Sequence, residues 1–244
     1  VKRASVHNAE QIQKLDIREN DIVIVEKGGE IIPKIVGVER QNNNQDSQPI
    51  KFIENCPICN ARLIKEEGEA AHYCPNYNHC PPQILGRFQH FVSKKAMNID
   101  SLGAERIKIL FSAGLIKDFS SFYTLKQDDI IGLGSLDKEN KTNKQKKGAK
   151  NIIQAINKSK EVDFAKVLYA LGIRYVGEVT AKHLVATFKN IDSLIKATKE
   201  DLLSVEDVGE RIADSLLNYF SDQDNLDLIA RLKDLGLQFE IKQS

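Results

Sequence analysis

The 244-residue chain has no run of 18 apolar residues, so no transmembrane helix is expected. Its first ten residues, VKRASVHNAE, hold no apolar signal core, and secretion is not expected. The first residue is Val1 rather than Met, which suggests a processed or excised fragment. Cysteine is scarce. The four that occur lie close together, too few for a disulfide scaffold. No phosphate-cradling G-x-x-x-x-G-K-[ST] loop occurs, and no G-x-G-x-x-G follows a strand, so neither nucleotide-binding device is present. The five histidines (His7, His72, His79, His90 and His183) form no triad or metal pair. With 41% hydrophobic and 28% charged residues, the composition argues against wholesale disorder.

Net charge is nearly absent too: 35 basic against 34 acidic residues leave +1. Its distribution is uneven. Residues 1–50 carry 7 basic and 8 acidic side chains, 51–160 carry 18 and 11, and 161–244 carry 10 and 15. The middle of the chain is the natural contact for a polyanion.

Three segments differ in composition, which predicts a multidomain α+β protein with boundaries at 1–54, 55–85 and 86–244. The first reads as β. Runs Asp21–Val25 and Ile31–Val38 are β-branched, with a turn at Gly28-Gly29, a polar loop at Asn42–Asn44 and a possible further strand at Ile50–Ile53. Pro33 inside the second run predicts an edge or bulged strand. The second segment holds the cysteines and four prolines, and little regular structure is expected. From residue 86 onward there is no proline, and the pattern is helical.

The helical part repeats. Apolar ladders start at Ile107, Ala149, Ala181 and Ala213 and run to Leu110, to Ile152 and Ile156, to Leu184 and Phe188, and to Leu216 and Phe220. The last three anchors are 32 residues apart. Four residues before the anchor stands Gly103, Gly177 or Gly209; the second window has Gln145 there. The unit reads as helix, tight glycine turn, helix. Such a turn suits a glycine with φ > 0, and the helix after it offers unpaired N–H groups to a phosphate without reading a base. The bland alternative for any one copy is a helical corner. Two residues before the glycine, where a hairpin usually has a second one, stand Ser101, Tyr175 and Asp207. Asp207 would repel phosphate, so the fourth repeat is expected to be structural. The second has the pair Gly132 and Gly134, followed by a Lys-rich stretch, 135–147. That stretch reads as a loop before Gly148, either merely solvated or an electrostatic arm. Arg87, Lys94 and Lys95 precede the first turn and are further candidate phosphate contacts.

The cysteines are spaced Cys56-x2-Cys59, then 14 residues, then Cys74-x5-Cys80. That pattern suits one tetrahedral, closed and therefore structural zinc site. Two disulfides or four free thiols are the alternatives, as is replacement of one cysteine by His72 or His79.

The parts together resemble the C-terminal half of bacterial NAD-dependent DNA ligase. ASVHN at 4–8 and DIRENDIVIVEKGGEIIPKI at 16–35 resemble its OB-fold strings, HFVSKKAMNIDSLG at 90–103 its first hairpin, and YALGIRYVGEVTAKHL at 169–184 its third. The resemblance implies a partial OB-fold β-barrel lacking its first strand, a four-cysteine zinc finger and a four-repeat helix-hairpin-helix domain. It further implies a cytoplasmic monomer that grips nicked double-stranded DNA in replication and repair. The expected DNA contacts are Lys27, Arg87, Lys94, Lys95, Gly103, Gly177 and Gly209. The family's nucleophilic lysine sits in a K-x-D-G motif, which is absent here. NAD and Mg would therefore be bound mainly by an adenylation domain outside this chain, and the chain alone would be inactive. Lys94 stands where the family usually has Arg. A repair nuclease or topoisomerase tether would have no reason to carry the OB strings; a protein-interaction scaffold is the other competing reading, favoured by the acidic end.

Overall fold

The computed structural model describes residues 1–27, 32–39, 47–131 and 143–241. They fall into two compact units, Val1–Gln83 and Ile84–Ser244.

The first unit opens with a helix that the sequence reading missed. Helix α1 (Ala9–Leu15) is started by Asn8, whose side chain accepts from the Gln11 N–H at 2.9 Å, and it stops at Asp16 in the left-handed region. The strands β1 (Ile22–Lys27) and β2 (Pro33–Glu39) pair antiparallel, with Val23 opposite Val38 and Lys27 opposite Pro33. Pro33 occupies the first position of its strand, where a missing N–H costs least. The register slips between Ile24 and Val25, so β2 is bulged. Ser5 bridges the other edge of β2: its N–H donates to Pro33 O at 2.7 Å, and the Ile35 N–H donates to Ser5 O at 2.9 Å. Ile50–Ile53 forms no strand. The Ile50 N–H donates to Ile17 O at 2.9 Å, and Ile50, Phe52 and Ile53 are exposed. The Gly28-Gly29 turn and the Asn42–Asn44 loop lie outside the described residues. The cysteine segment folds around two short ribbons, bridged Asn55 to Arg62 and Ile64 to Tyr73.

The second unit is helical: α2 (Pro81–Val92, entering it from the first), α3 (Ala104–Ser112), a 3-10 turn (Phe119–Thr124), α4 (Gln127–Ile130), α5 (Asn143–Ser159), α6 (Phe164–Ala170), α7 (Glu178–Phe188), α8 (Ile191–Ile195), α9 (Lys199–Leu203), α10 (Glu210–Ser221) and α11 (Gln223–Asp234). Two prolines open α2, where their missing N–H groups would have had no intrahelical acceptor. The four ladders lie on α3, α5, α7 and α10 and supply the core: Ile107, Leu110, Ile152, Ala181, Leu184, Ala213 and Leu216 have no accessible surface. At the start of the unit Phe91 stacks on Phe119 at 4.4 Å, and Phe88 meets Phe122 edge-on at 5.4 Å. The tail also joins the core. Leu237 and Phe239 are buried, and the Ile191 N–H donates to Phe239 O at 2.9 Å.

Helix α5 corrects the reading of 135–147 as a loop before Gly148. The helix begins at Asn143, so Gln145, Lys146 and Lys147 are helical and Gly148 lies inside it. Gly132, Gly134 and the rest of that stretch lie outside the described residues.

Candidate metal centre and nucleic-acid interface

The two ribbons bring the cysteines to one point. The first knuckle closes with the Cys56 N–H on Ala61 O at 2.8 Å and the Asn60 N–H on Cys56 O at 2.9 Å, which puts Asn60 in the left-handed region. The second closes with the Cys80 N–H on Asn76 O at 2.8 Å. All four Sγ atoms then lie within 4.8 Å of one another, with Cys56 to Cys80 at 3.9 Å and Cys59 to Cys74 at 3.4 Å. A zinc ion holding thiolates at ~2.3 Å in a tetrahedron spaces the sulfurs by about 3.8 Å, whereas a disulfide needs ~2.05 Å. The set fits one closed, structural zinc site and excludes the disulfide alternative. Neither histidine joins the group: His79 is exposed, and His72 packs against the Phe52 ring at 4.8 Å.

Metal-free, the thiols differ. The Ala61 backbone N–H, aided by neighbouring thiols, draws Cys59 down to about 6. Burial pushes Cys80 up to about 12 and also raises Cys74. One sulfur is thus ready as a thiolate, while Cys74 and Cys80 are among those that must lose protons as the metal enters.

The glycine turns depart from the sequence reading in one respect. Gly103, Gly177 and Gly209 do not have φ > 0. Each is an extended N-cap, at φ −73, −81 and −97 with ψ 170 to 178. The left-handed residues are those two positions earlier: Ser101 at φ 69, Tyr175 at 65 and Asp207 at 62. The bend is made there by non-glycine residues, at a cost of roughly 1–2 kcal/mol each. The retained glycines are therefore not needed for the backbone. Nor are they needed for packing, because a Cβ built at any of the three would meet nothing within 4 Å.

What they leave is an open helix end. Helices α1, α6, α8, α9 and α11 begin under side-chain caps from Asn8, Asp163, Asn190, Thr198 and Asp222. Helices α3, α7 and α10 have no side-chain cap bond, and their first intrahelical bonds to the N-cap carbonyl come from Ile107, Ala181 and Ile212. The short α4 lacks one too, but it starts behind Lys126 rather than a glycine. The N–H groups of 104–106 and 178–180 have no intrahelical acceptor, and the glycines in front of them are exposed.

The candidate basic residues are spread more widely. Lys94 and Lys95 are exposed on the turn after α2, within the first hairpin. Arg87 is half-buried on α2, its guanidinium 5.3 Å from the centre of the Phe119 ring. Lys27 ends β1 in the first unit. Two arginines that the sequence reading did not single out flank the turns. Arg106 donates to Ser101 O at 2.8 Å, and Arg174 lies 4.9 Å from the Tyr175 ring centre. Their signal was position, since each stands within three residues of a hairpin glycine. The fourth turn differs in charge. Asp207 and Glu206 flank it, and Lys199 is held between Glu210 at 2.6 Å and Asp214 at 2.8 Å.

Comparison with known proteins agrees with this anatomy. Residues 1–47 match the family model of the NAD-dependent DNA ligase OB-fold domain, 55–81 that of the NAD-dependent DNA ligase C4 zinc finger domain, and 166–229 that of the helix-hairpin-helix motif. The chain is 48% identical over 241 residues to a DNA ligase of Christiangramia forsetii, 49% over 240 to one of Flavobacterium johnsoniae and 50% over 238 to one of Bacteroides fragilis. These alignments take in 98–99% of the chain and 35% of each relative's length. Among the described residues, no helix is long and apolar enough to cross a membrane.

Proposed function

We propose that this chain, which carries the OB-fold and C4 zinc-finger segments of NAD-dependent DNA ligase together with helix-hairpin-helix repeats, is the portion of such a ligase that grips nicked duplex DNA in the cytoplasm. The observation that supports it best is the contrast between helix starts: side-chain caps on α1, α6, α8, α9 and α11, bare glycine on the hairpin helices α3, α7 and α10. A phosphate oxygen is the acceptor that such a glycine admits. The first and third hairpins would hold the sugar-phosphate backbone through the amides after Gly103 and Gly177, with Lys94 and Lys95 adding charge. Gly209 would take the lesser part, since the carboxylates around it disfavour an anion. Lys27 would contact DNA from the OB segment and Arg87 from α2. Cys56, Cys59, Cys74 and Cys80 would hold the structural zinc.

The sealing chemistry belongs to the whole ligase, acting as a monomer. With no K-x-D-G lysine, this chain would neither take AMP from NAD nor seal DNA by itself, and NAD and Mg would act mainly in an adenylation domain outside it. The test is fluorescence anisotropy of a labelled nicked duplex titrated with the chain at several salt concentrations. Log affinity should fall steeply with log salt, alike for unrelated sequences. Absence of binding at low salt would defeat the reading.

A further inference from the structure

The 32-residue repeat places Arg174, Tyr175, Gly177 and His183 in register with Glu206, Asp207, Gly209 and Ser215. The structure turns that register into a pair of crossed contacts. Ser215, on α10, donates its hydroxyl to Arg174 O in the third hairpin's turn at 2.7 Å. His183, on α7, donates from Nδ1 to Glu206 O in the fourth hairpin's turn at 3.1 Å. The donors stand at equivalent repeat positions, six residues past their glycines. The acceptors are also equivalent, each the carbonyl just before the left-handed residue. Each hairpin's second helix therefore holds the other hairpin's bend, as two copies related by an approximate two-fold axis must.

The carbonyls concerned are where the strain lies. The peptide after each leads into Tyr175 or Asp207 in the left-handed region, and two residues on begins the uncapped helix. A donor fixed on that carbonyl sets the peptide plane and so the direction of the turn. The two turns then diverge in charge. The third has Arg174 beside its bend, while the fourth has Glu206 and Asp207, whose carboxylates also face His183 at 3.9 and 3.4 Å.

We propose that Ser215 and His183 are reciprocal positioning residues that make the third and fourth hairpins one unit, in which the acidic fourth hairpin serves as the brace that aims the third at a phosphate. The phosphate part rests on the function proposed above; the interlock does not. It assigns the fourth hairpin a task that needs no nucleic acid contact of its own.

The test is amide hydrogen exchange on the 244-residue chain, paired with nicked-duplex affinity. Ser215→Ala should speed exchange in 172–178, away from its own helix start, and weaken DNA binding by about two- to tenfold, the worth of one hydrogen bond. Ser215→Thr keeps the hydroxyl and should restore both. His183→Ala should speed exchange in 204–210 with little change in affinity. His183→Asn, whose amide nitrogen can take the place of Nδ1, should reverse it. Exchange that rises only beside each substituted residue would overturn the interlock. Faster exchange at 172–178 with unchanged affinity, while Gly177→Ala does weaken binding, would overturn the positioning role. Crossed exchange effects with no effect of Gly177→Ala would leave the brace standing and remove its phosphate.

Discussion

Replacing Gly177 by alanine separates a glycine kept for the fold from one kept for a ligand. At φ −81 and ψ 175 an alanine backbone is unstrained, and the added methyl meets nothing within 4 Å. Alanine is the poorer N-cap by up to about 1 kcal/mol, but it also restricts the unfolded chain, which favours folding by roughly 0.4–1 kcal/mol. The two nearly cancel, so the melting temperature should move by no more than a few degrees. With DNA bound, the methyl would stand in the space through which a phosphate oxygen reaches the amides of 178–180, at a hydrogen-bond distance of about 2.9 Å. Losing one bond to a charged acceptor costs roughly 1.5–3 kcal/mol, an affinity loss of about tenfold or more. The loss should be equal at every salt concentration, because an amide displaces no counterion. Lys94→Ala and Lys95→Ala should behave in the opposite way, each flattening the plot of log affinity against log salt by about 0.9. Anisotropy titrations of wild type, G177A, G103A and the two lysine variants on one nicked duplex measure all of this. Unchanged affinity in both G103A and G177A would refute the argument that the open space is kept for a phosphate.

Gly86 is the converse case. It lies inside α2 with nothing within 4 Å of its Cβ position, so Gly86→Ala should stabilise the protein by about 1 kcal/mol, read from thermal melts, with DNA affinity unchanged. Zinc binding at pH 7 should release at least two protons, those of Cys74 and Cys80, whose thiols burial holds above the usual range. Calorimetry in buffers of differing ionisation enthalpy counts them, and chelation should unfold the 55–80 segment while most far-UV helical signal remains. Asp118 is half-buried, and that burial raises its pKa. The hydrogen bonds from Ser120 and Ser121, together with Arg231 at 3.0 Å, outweigh this and leave its carboxyl below the usual range. A lowered pKa gives stability that is present above the unfolded-state value, ~3.9, and fades as pH falls through the folded value. Asp118→Asn should therefore lower the melting temperature at pH 6 and flatten its fall below pH 4.

The elements legible in the sequence are those whose signal is a repeating apolar face. Ile107 with Leu110, Ile152 with Ile156, and Ala213 with Leu216 each fall on a 3.6-residue stripe that the core demands. The cysteine site was legible because four sulfurs at two short spacings leave one ion few other ways to bind. Helix α1 was missed because only Ile12 of its seven residues is buried, so no stripe exists. Its signal was the cap, an Asn8 with Gln11 three residues later. The tail was missed for a similar reason. Leu237 and Phe239 alternate over too short a stretch to read, and the pairing that holds the tail in place joins 239–241 to residues 189–191, far away in sequence.

The hairpin glycines do not have the positive φ that the sequence suggests for them, and the difference bears on what they are for. A glycine in a bend invites the reading that the bend needs it, yet Ser101, Tyr175 and Asp207 make the bends here, and the glycines two places on have ordinary extended backbones. A side chain at that N-cap would do either of two things. Ser, Thr, Asn or Asp would satisfy the first amides, as Asn190 does for Ser193 at 2.8 Å, and so compete with a ligand. Any other would add bulk without a bond. Glycine alone leaves the donors both unpaired and reachable, and the fold forgoes the cap at α3, α7 and α10 while making it at α1, α6, α8, α9 and α11. In helical repeats of this kind, then, the informative feature is less the presence of glycine than the absence of a capping side chain, as on α7 and α10, whose neighbours α6, α8, α9 and α11 each have one.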